Sequence, residues 1–276
     1  MISQKSIKSY KGLRIRGNQN YLSILPHKIL QPYIANYFIL FPDQHLYSDE
    51  YTILPGISST IILSVDDNKM DGFLQGLYTR AINVGNSVKR KRLMLLIEFH
   101  AGGLYQFIPI DQGKLVDSSY LLDEFDKKFM LSLKSELEKS LDIKHLIETL
   151  DKIFIKRLAN SKILINFAPI RKNIIKQHGF IKPENMPLPF FYSERQTRRL
   201  FIRHVGISPK KFSRIIRANY ALQLIKNNRS SFLDVVEKAG YFDQPHFIHD
   251  FEAIHGITPL EYKQNMSVFY NDHTTI

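Results

Sequence analysis

Arg203-His-Val-Gly-Ile-Ser-Pro-Lys-Lys-Phe212 recurs 50 residues later as Ala253-Ile-His-Gly-Ile-Thr-Pro-Leu-Glu-Tyr262. In this alignment Phe201 pairs with Phe251, Gly206 with Gly256, Ile207 with Ile257, Pro209 with Pro259 and Phe212 with Tyr262. Each matched position has a physical task. Glycine just past a helix end takes the left-handed conformation that satisfies the last carbonyls. Ser208 or Thr258 caps the next helix, and proline occupies its first position, where an N–H is not needed. The aliphatic residue between them packs the turn. Two copies of helix, glycine, cap, proline and helix predict duplicated helical units.

Another helix precedes each copy. Ser193-Glu-Arg-Gln-Thr-Arg-Arg-Leu-Phe-Ile-Arg-His-Val205 starts at a serine cap. Asp243-Gln-Pro-His-Phe-Ile-His-Asp-Phe-Glu-Ala-Ile-His255 starts at an aspartate cap with Pro245 just inside. Before the second of these, Ser231-Phe-Leu-Asp-Val-Val-Glu-Lys-Ala-Gly240 reads as a short amphipathic helix stopped by glycine and followed by a tight turn at Tyr241-Phe242. Helix, short glycine turn and a second helix with polar residues at its start describe a helix-turn-helix. Helical spacing turns Gln244, His246 and His249 outward and Phe247, Ile248 and Phe251 inward; in the first copy Arg195, Gln196, Arg198 and Arg199 face out. The connecting stretch from Pro209 to Lys226 is a helix of roughly 27 Å at ~1.5 Å per residue. With a unit at each end, that length suits two reading helices about 34 Å apart, one turn of DNA along a single face. Lys210, Lys211, Arg214 and Arg217 lie early on this connector and suit phosphate contacts.

The charge distribution points the same way. The 276 residues include 38 Lys plus Arg against 26 Asp plus Glu, a formal net charge of +12, which biases the chain toward polyanions. Residues 171–229 hold 14 cations against two acids, Glu184 and Glu194, whereas residues 230–265 hold two cations against six acids. The cationic surface is one block that ends near Arg229. There is no cysteine, so disulfides, thiolate metal sites and cysteine nucleophiles are excluded. No run approaches the ~18 apolar residues of a membrane span, and the N-terminus lacks the apolar core of a secretory signal. A cytoplasmic protein without membrane contact is expected. His-x-His, Gly-x-Ser-x-Gly and phosphate-loop motifs are missing, so neither an enzyme nor a cofactor is expected. His246 and His249 lack a third ligand within reach, which favours a base or phosphate contact over a metal. Lys89-Arg-Lys-Arg92 reads as an exposed loop.

The fold class expected is α+β. Tyr37-Phe-Ile-Leu-Phe41, Thr60-Ile-Ile-Leu-Ser-Val65 and Leu93-Met-Leu-Leu-Ile-Glu-Phe99 are short β-branched and aromatic runs separated by turn residues, which predicts an antiparallel β sandwich or barrel-like domain over 1–116. From 117 to 165 the period becomes helical. Phe129, Leu133, Leu137 and Leu141, then Leu146, Leu150, Ile153, Phe154 and Leu158, form a stripe that either covers the β domain or makes a homodimer contact. An all-α domain with the two helix-turn-helix units follows over 166–265, with a tail at 266–276. Pro183, Pro187 and Pro189 argue against a long regular helix there.

Residues 166–265 resemble the DNA-binding domain of the AraC/XylS family of bacterial transcription regulators. Ser193-Glu-Arg-Gln, Phe201, Gly206-Ile-Ser-Pro209, Ala239-Gly-Tyr-Phe-Asp-Gln244, His246-Phe247, Asp250-Phe251 and Gly256-Ile-Thr-Pro259 carry the resemblance. More weakly, Leu54-Pro-Gly56 and Phe99-His-Ala-Gly-Gly103 resemble a β-rich domain often found before this module. The resemblance implies binding of double-stranded promoter DNA, contacts with RNA polymerase, and an N-terminal domain that senses a small-molecule effector, dimerises, or both. It also implies a DNA-contacting set: Glu194, Arg195, Gln196, Arg198, Arg199, Arg203, Lys210, Lys211, Arg214, Gln244, His246 and His249. The chain departs from the pattern at Pro187-Leu-Pro189, which interrupts the first unit's first helix, and at His249 and Glu252, where the family commonly has cations. The first unit with the connector is therefore expected to supply most of the phosphate affinity. The rival reading is an interaction protein whose degenerate module engages polymerase or another regulator.

Overall fold

The computed structural model describes residues 1–42, 52–67, 69–163, 167–180, 193–226 and 231–264. Its N-terminal part contains β1 (Arg16–Gly17), β2 (Tyr21–Ile24), β3 (Ile34–Leu40), β4 (Thr52–Ile53), β5 (Ser59–Val65), β6 (Met70–Gln75), β7 (Ile82–Asn83), β8 (Leu93–Phe99) and β9 (Ser119–Leu121). Seven of these form one antiparallel sheet in the order β1-β2-β3-β8-β5-β6-β9, and β4 pairs with β7 in a separate ribbon. Period-two alternation sets the two faces. In β8, Leu93, Leu95, Ile97 and Phe99 point into the main core, while Met94, Leu96 and Glu98 point to the opposite face and are only partly covered.

The expected antiparallel domain is thus present, and the layer against its core face is helical. Ile7 of helix α1 (Gln4–Ser9) reaches this core, and Val88 of the short α2 (Gly85–Lys89) packs with Phe38, Leu40, Met94 and Leu96 on the opposite face. Helices α3 (Asp123–Lys139) and α4 (Ile143–Ala159) lay Phe129, Leu133, Leu137, Leu146, Leu150 and Phe154 into the same core as Tyr37, Ile61, Leu95 and Phe99. The hydrophobic stripe therefore covers the sheet. Leu141, read as part of that stripe, is instead 77% exposed, because α3 ends at Lys139 and Ser140 turns the chain into α4, capped by Asp142.

The C-terminal part is helical: α5 (Ala168–Lys176), α6 (Glu194–Val205), α7 (Pro209–Lys226), α8 (Phe232–Lys238), α9 (Gln244–His255) and α10 (Pro259–Gln264). The repeat is visible in its caps. Ser208 Oγ accepts from the Lys211 N–H at 3.3 Å, and Thr258 Oγ1 accepts from the Glu261 N–H at 3.2 Å. Gly206 and Gly256 have φ of +106° and +75°, the region that disfavours a side chain. The copies differ in surroundings. A Cβ on Gly206 would sit 3.0 Å from Val116 and 3.1 Å from the Gln112 carbonyl, whereas one on Gly256 would meet nothing within 4 Å.

That difference marks a contact between the two parts. Ile57, Leu77 and Ala101 share a core with Phe167, Ile170, Phe201, Val205 and Phe212. The Tyr105 ring stacks on His204 at 3.8 Å. Arg171, 4% exposed, donates to the carbonyls of Pro32 and Ala101, and its burial lowers its pKa to about 10. Burial also pulls the imidazoles of His100, His204 and His255 down to about 4, with Arg171 and Lys172 reinforcing the shift at His100 and Arg203 at His204.

Gly206→Ala and Gly256→Ala each lower stability by about 1 kcal/mol through the positive φ, and Gly206→Ala loses more because its Cβ meets the β domain; urea denaturation of both variants measures the gap. The three buried imidazoles stay neutral in the folded state while their unfolded counterparts take up protons near pH 6.5, so stability falls as pH drops from about 6.5 toward 4. Thermal midpoints over that window should fall, and more shallowly in His255→Gln.

Candidate nucleic-acid interface

The second helix-turn-helix is fully described. Ser231 caps α8 by accepting from the Asp234 N–H at 3.1 Å, and Asp234 Oδ2 accepts from the Ser231 N–H at 2.7 Å. The chain then turns through Gly240, at φ +65°, and enters α9 at Asp243, whose carboxylate accepts from the His246 N–H at 2.8 Å. Tyr241, Phe247, Phe251 and Ile254 are buried. Gln244, His246, His249 and Glu252 are exposed. The surface of α9 is polar and carries no Lys or Arg.

Helix α6 presents a different surface. Ser193 and Gln196 form a reciprocal cap, with Ser193 Oγ accepting from the Gln196 N–H at 3.3 Å and Gln196 Oε1 accepting from the Ser193 N–H at 3.0 Å. Thr197, Phe201, His204 and Val205 are buried. Glu194, Arg195, Gln196, Arg198, Arg199 and Arg203 are exposed. Arg195, Gln196, Arg198, Arg199 and Ile202 together line a shallow open cleft. Lys210 and Lys211, at the start of α7, are exposed as well. Arg203 stands at the margin, its guanidinium 5.9 Å from the centre of the Tyr105 ring in the β domain.

Two of the early connector cations are engaged inside the protein. Arg214, expected on phosphate, donates through Nε to Asp250 Oδ1 at 2.9 Å and through Nη2 to the same oxygen. Asp250 lies on the buried face of α9 and is 2% exposed, so its charge needs a partner inside the protein. Arg217 lies over the Tyr241 ring at 5.0 Å. Both arginines hold the connector to the second unit. The prolines read as breaking the first unit's first helix, the end of the cationic block at Arg229, and the tail at 266–276 lie outside the described residues.

One residue escaped the pattern reading. Phe242, in the turn before α9, is 91% exposed. An aromatic side chain this bare on a polar surface is a contact candidate, and its place in the turn was the available signal. Among the described residues no cluster of three or more His, Asp or Glu could hold a metal ion, and no helix is long and apolar enough to cross a membrane.

Comparisons with known proteins fall on the same regions. Residues 190–265 match the family described as a helix-turn-helix domain, and residues 22–120 match a domain of unknown function, DUF6597. An uncharacterized HTH-type transcriptional regulator of Haemophilus influenzae is 30% identical over 70 residues, 25% of this chain and 24% of that protein. The uncharacterized HTH-type transcriptional regulator YidL of Escherichia coli is 34% identical over 73 residues, 26% of this chain and 25% of that protein. The chain therefore spans about a quarter of the length of the curated relatives it matches. The crystal structure of ToxT from Vibrio cholerae aligns over 90% of this chain and 97% of that one, at 10% identity and a TM-score of 0.38.

The two classes of arginine separate by stability. Arg214→Ala strands the Asp250 carboxylate and is expected to lower the unfolding free energy by about 3 kcal/mol. Arg198→Ala should stay within about 0.5 kcal/mol of the parent, as a surface change does. Urea titrations followed by circular dichroism distinguish them.

Proposed function

We propose, starting from the match of residues 190–265 to a helix-turn-helix domain family, that this chain is a sequence-specific DNA-binding transcription regulator of the AraC/XylS type. Its two helix-turn-helix units would enter adjacent major-groove segments of promoter DNA. The observation that carries this reading is the set of exposed arginines on α6, Arg195, Arg198 and Arg199, with Lys210 and Lys211 exposed at the start of α7. Guanidinium forks suit both phosphate oxygens and the edge of guanine. In this reading Arg195, Arg198 and Arg199, with Lys210 and Lys211, supply most of the phosphate affinity. Glu194 and the free amide nitrogen of Gln196 face the groove beside them, and Arg203 reaches the backbone at the margin.

The second unit adds selectivity. Gln244, His246 and His249 offer donors and acceptors to base edges, and Phe242 suits apolar contact with a thymine methyl. The β domain, which runs past the expected boundary at 116 to include β9 (Ser119–Leu121), with α3 and α4 packed on it, is read as the sensing or assembling part. A small-molecule effector, a homodimer and contacts with RNA polymerase belong to the same proposal, as does a cytoplasmic, non-enzymatic role.

The test is affinity against salt for a promoter fragment selected from genomic DNA by the full chain. Arg198→Ala is expected to weaken binding to all sequences and to reduce the slope of log affinity against log salt by about 1. His249→Ala should alter preference among sequences and leave the slope unchanged. Equal losses of slope and affinity in the two variants would overturn the division of labour, and salt-insensitive binding of the parent would overturn the DNA-binding reading.

A further inference from the structure

A cavity of about 160 Å³ lies on the face of the sheet away from α3 and α4, and the connector α7 lines one side of it. Strand register orders its floor into rows. Glu98, Thr60 and Gln75 are successive cross-strand neighbours on β8, β5 and β6, and Asn36 of β3 pairs with Glu98 behind the cavity wall. The next row is Phe38, Leu96 and Ile62, and beyond it stand Leu40 and Met94. The floor is therefore apolar with one polar end. That end holds a carboxylate: Asn36 donates to Glu98 Oε2 at 2.7 Å, and among the described residues no hydrogen bond reaches the other oxygen. Burial pushes the Glu98 carboxyl above its ordinary range, against the opposing pull of Asn36 and Arg16. A buried acid of this kind is stabilised by an added hydrogen-bond donor, above all a cationic one.

The opposite wall belongs to the DNA-binding part. Asn219, Leu222 and Gln223 of α7 line the cavity. Asn219 Nδ2 donates to the Pro55 carbonyl at 3.0 Å, and its Oδ1 lies 3.0 Å from His255 Nε2. His255 ends α9 and also contacts the Phe251 carbonyl through Nδ1 at 3.1 Å. Close by, the Ala81 N–H donates to the Ile254 carbonyl at 3.2 Å. Leu222 continues from the cavity wall into the core that holds Val235, Phe247 and Phe251. A molecule in the cavity touches the sheet on one side and, on the other, a helix bonded to the end of α9.

We propose that this cavity is the effector site, that it takes a small apolar amine with the protonated nitrogen at Glu98, and that Asn219 relays its occupancy to α9. The first two parts stand on the cavity alone; the relay rests on the DNA-binding reading. By linkage, an amine that changes DNA affinity has its own affinity changed by DNA to the same factor.

The experiment uses the full chain without DNA and a matched probe set: 2-phenylethylamine, cyclohexylmethylamine and benzylamine, each with its alcohol and carboxylate counterpart. Calorimetric titration should show the amines binding more tightly than their alcohols by about tenfold, the worth of a charge-assisted hydrogen bond, and the carboxylates not binding. Glu98→Gln should remove the amine advantage, and Leu96→Phe, which fills the apolar row, should abolish binding of every probe; circular dichroism checks that both fold. Absence of binding by the whole set, or carboxylates binding as well as amines, overturns the assignment. DNA affinity is then measured with and without the tightest amine. A change in the parent that disappears in Asn219→Ala supports the relay, and an unchanged affinity in the parent, or an equal change in Asn219→Ala, overturns it. Loss of DNA binding by the parent without ligand would instead count against the regulator reading, leaving the amine site to stand or fall on its own titration.

Discussion

A helix of twelve residues can bury one face, and the rest of the structure depends on how α6 uses that allowance. Thr197, Phe201, His204 and Val205 take the inner side, where they meet α7, Phe167 and the β domain at once. Arg195, Arg198 and Arg199 are then held to solvent by the helical period. The arginines need no partner of their own to be positioned, because apolar contacts on the far side of the helix orient them. A surface built this way is preorganised, because packing fixes the helix that carries the side chains.

The same inner side joins the two halves of the protein. His204 is covered by Tyr105, the Gly206 turn lies against Gln112 and Val116, and Arg171 reaches carbonyls of two β-domain loops. At the other end of α7, Asn219 joins Pro55 to His255. The helix-turn-helix units are therefore packed on the β domain at both ends of the connector.

Much of this was legible from local rules. The glycine, serine or threonine and proline of each repeat act within one turn of their own backbone, so their task follows from their neighbours in sequence. The outward set on α9 follows from period. Arg214 was not legible. Asp250 stands 36 residues away, and spacing along α7 alone cannot distinguish a cation that meets phosphate from one that neutralises a buried acid. Leu141 failed for a similar reason, since a periodic stripe does not announce where a helix ends and Ser140 breaks it.

By itself the sequence determined the local grammar: a β-rich first part, a run of amphipathic helices, and two capped helix-turn-helix units with the positive charge gathered on the first. These features rest on backbone conformation and on periods of two and 3.6, which reach only a few residues. Tertiary structure alone decided which cations stay free, which helices cover the sheet, and that the sheet face away from α3 and α4 lines a cavity together with α7, with Glu98 at one end. Those outcomes depend on contacts between residues tens to more than a hundred positions apart, such as Asn219 with Pro55, and no local pattern encodes which distant groups will share a dry interior.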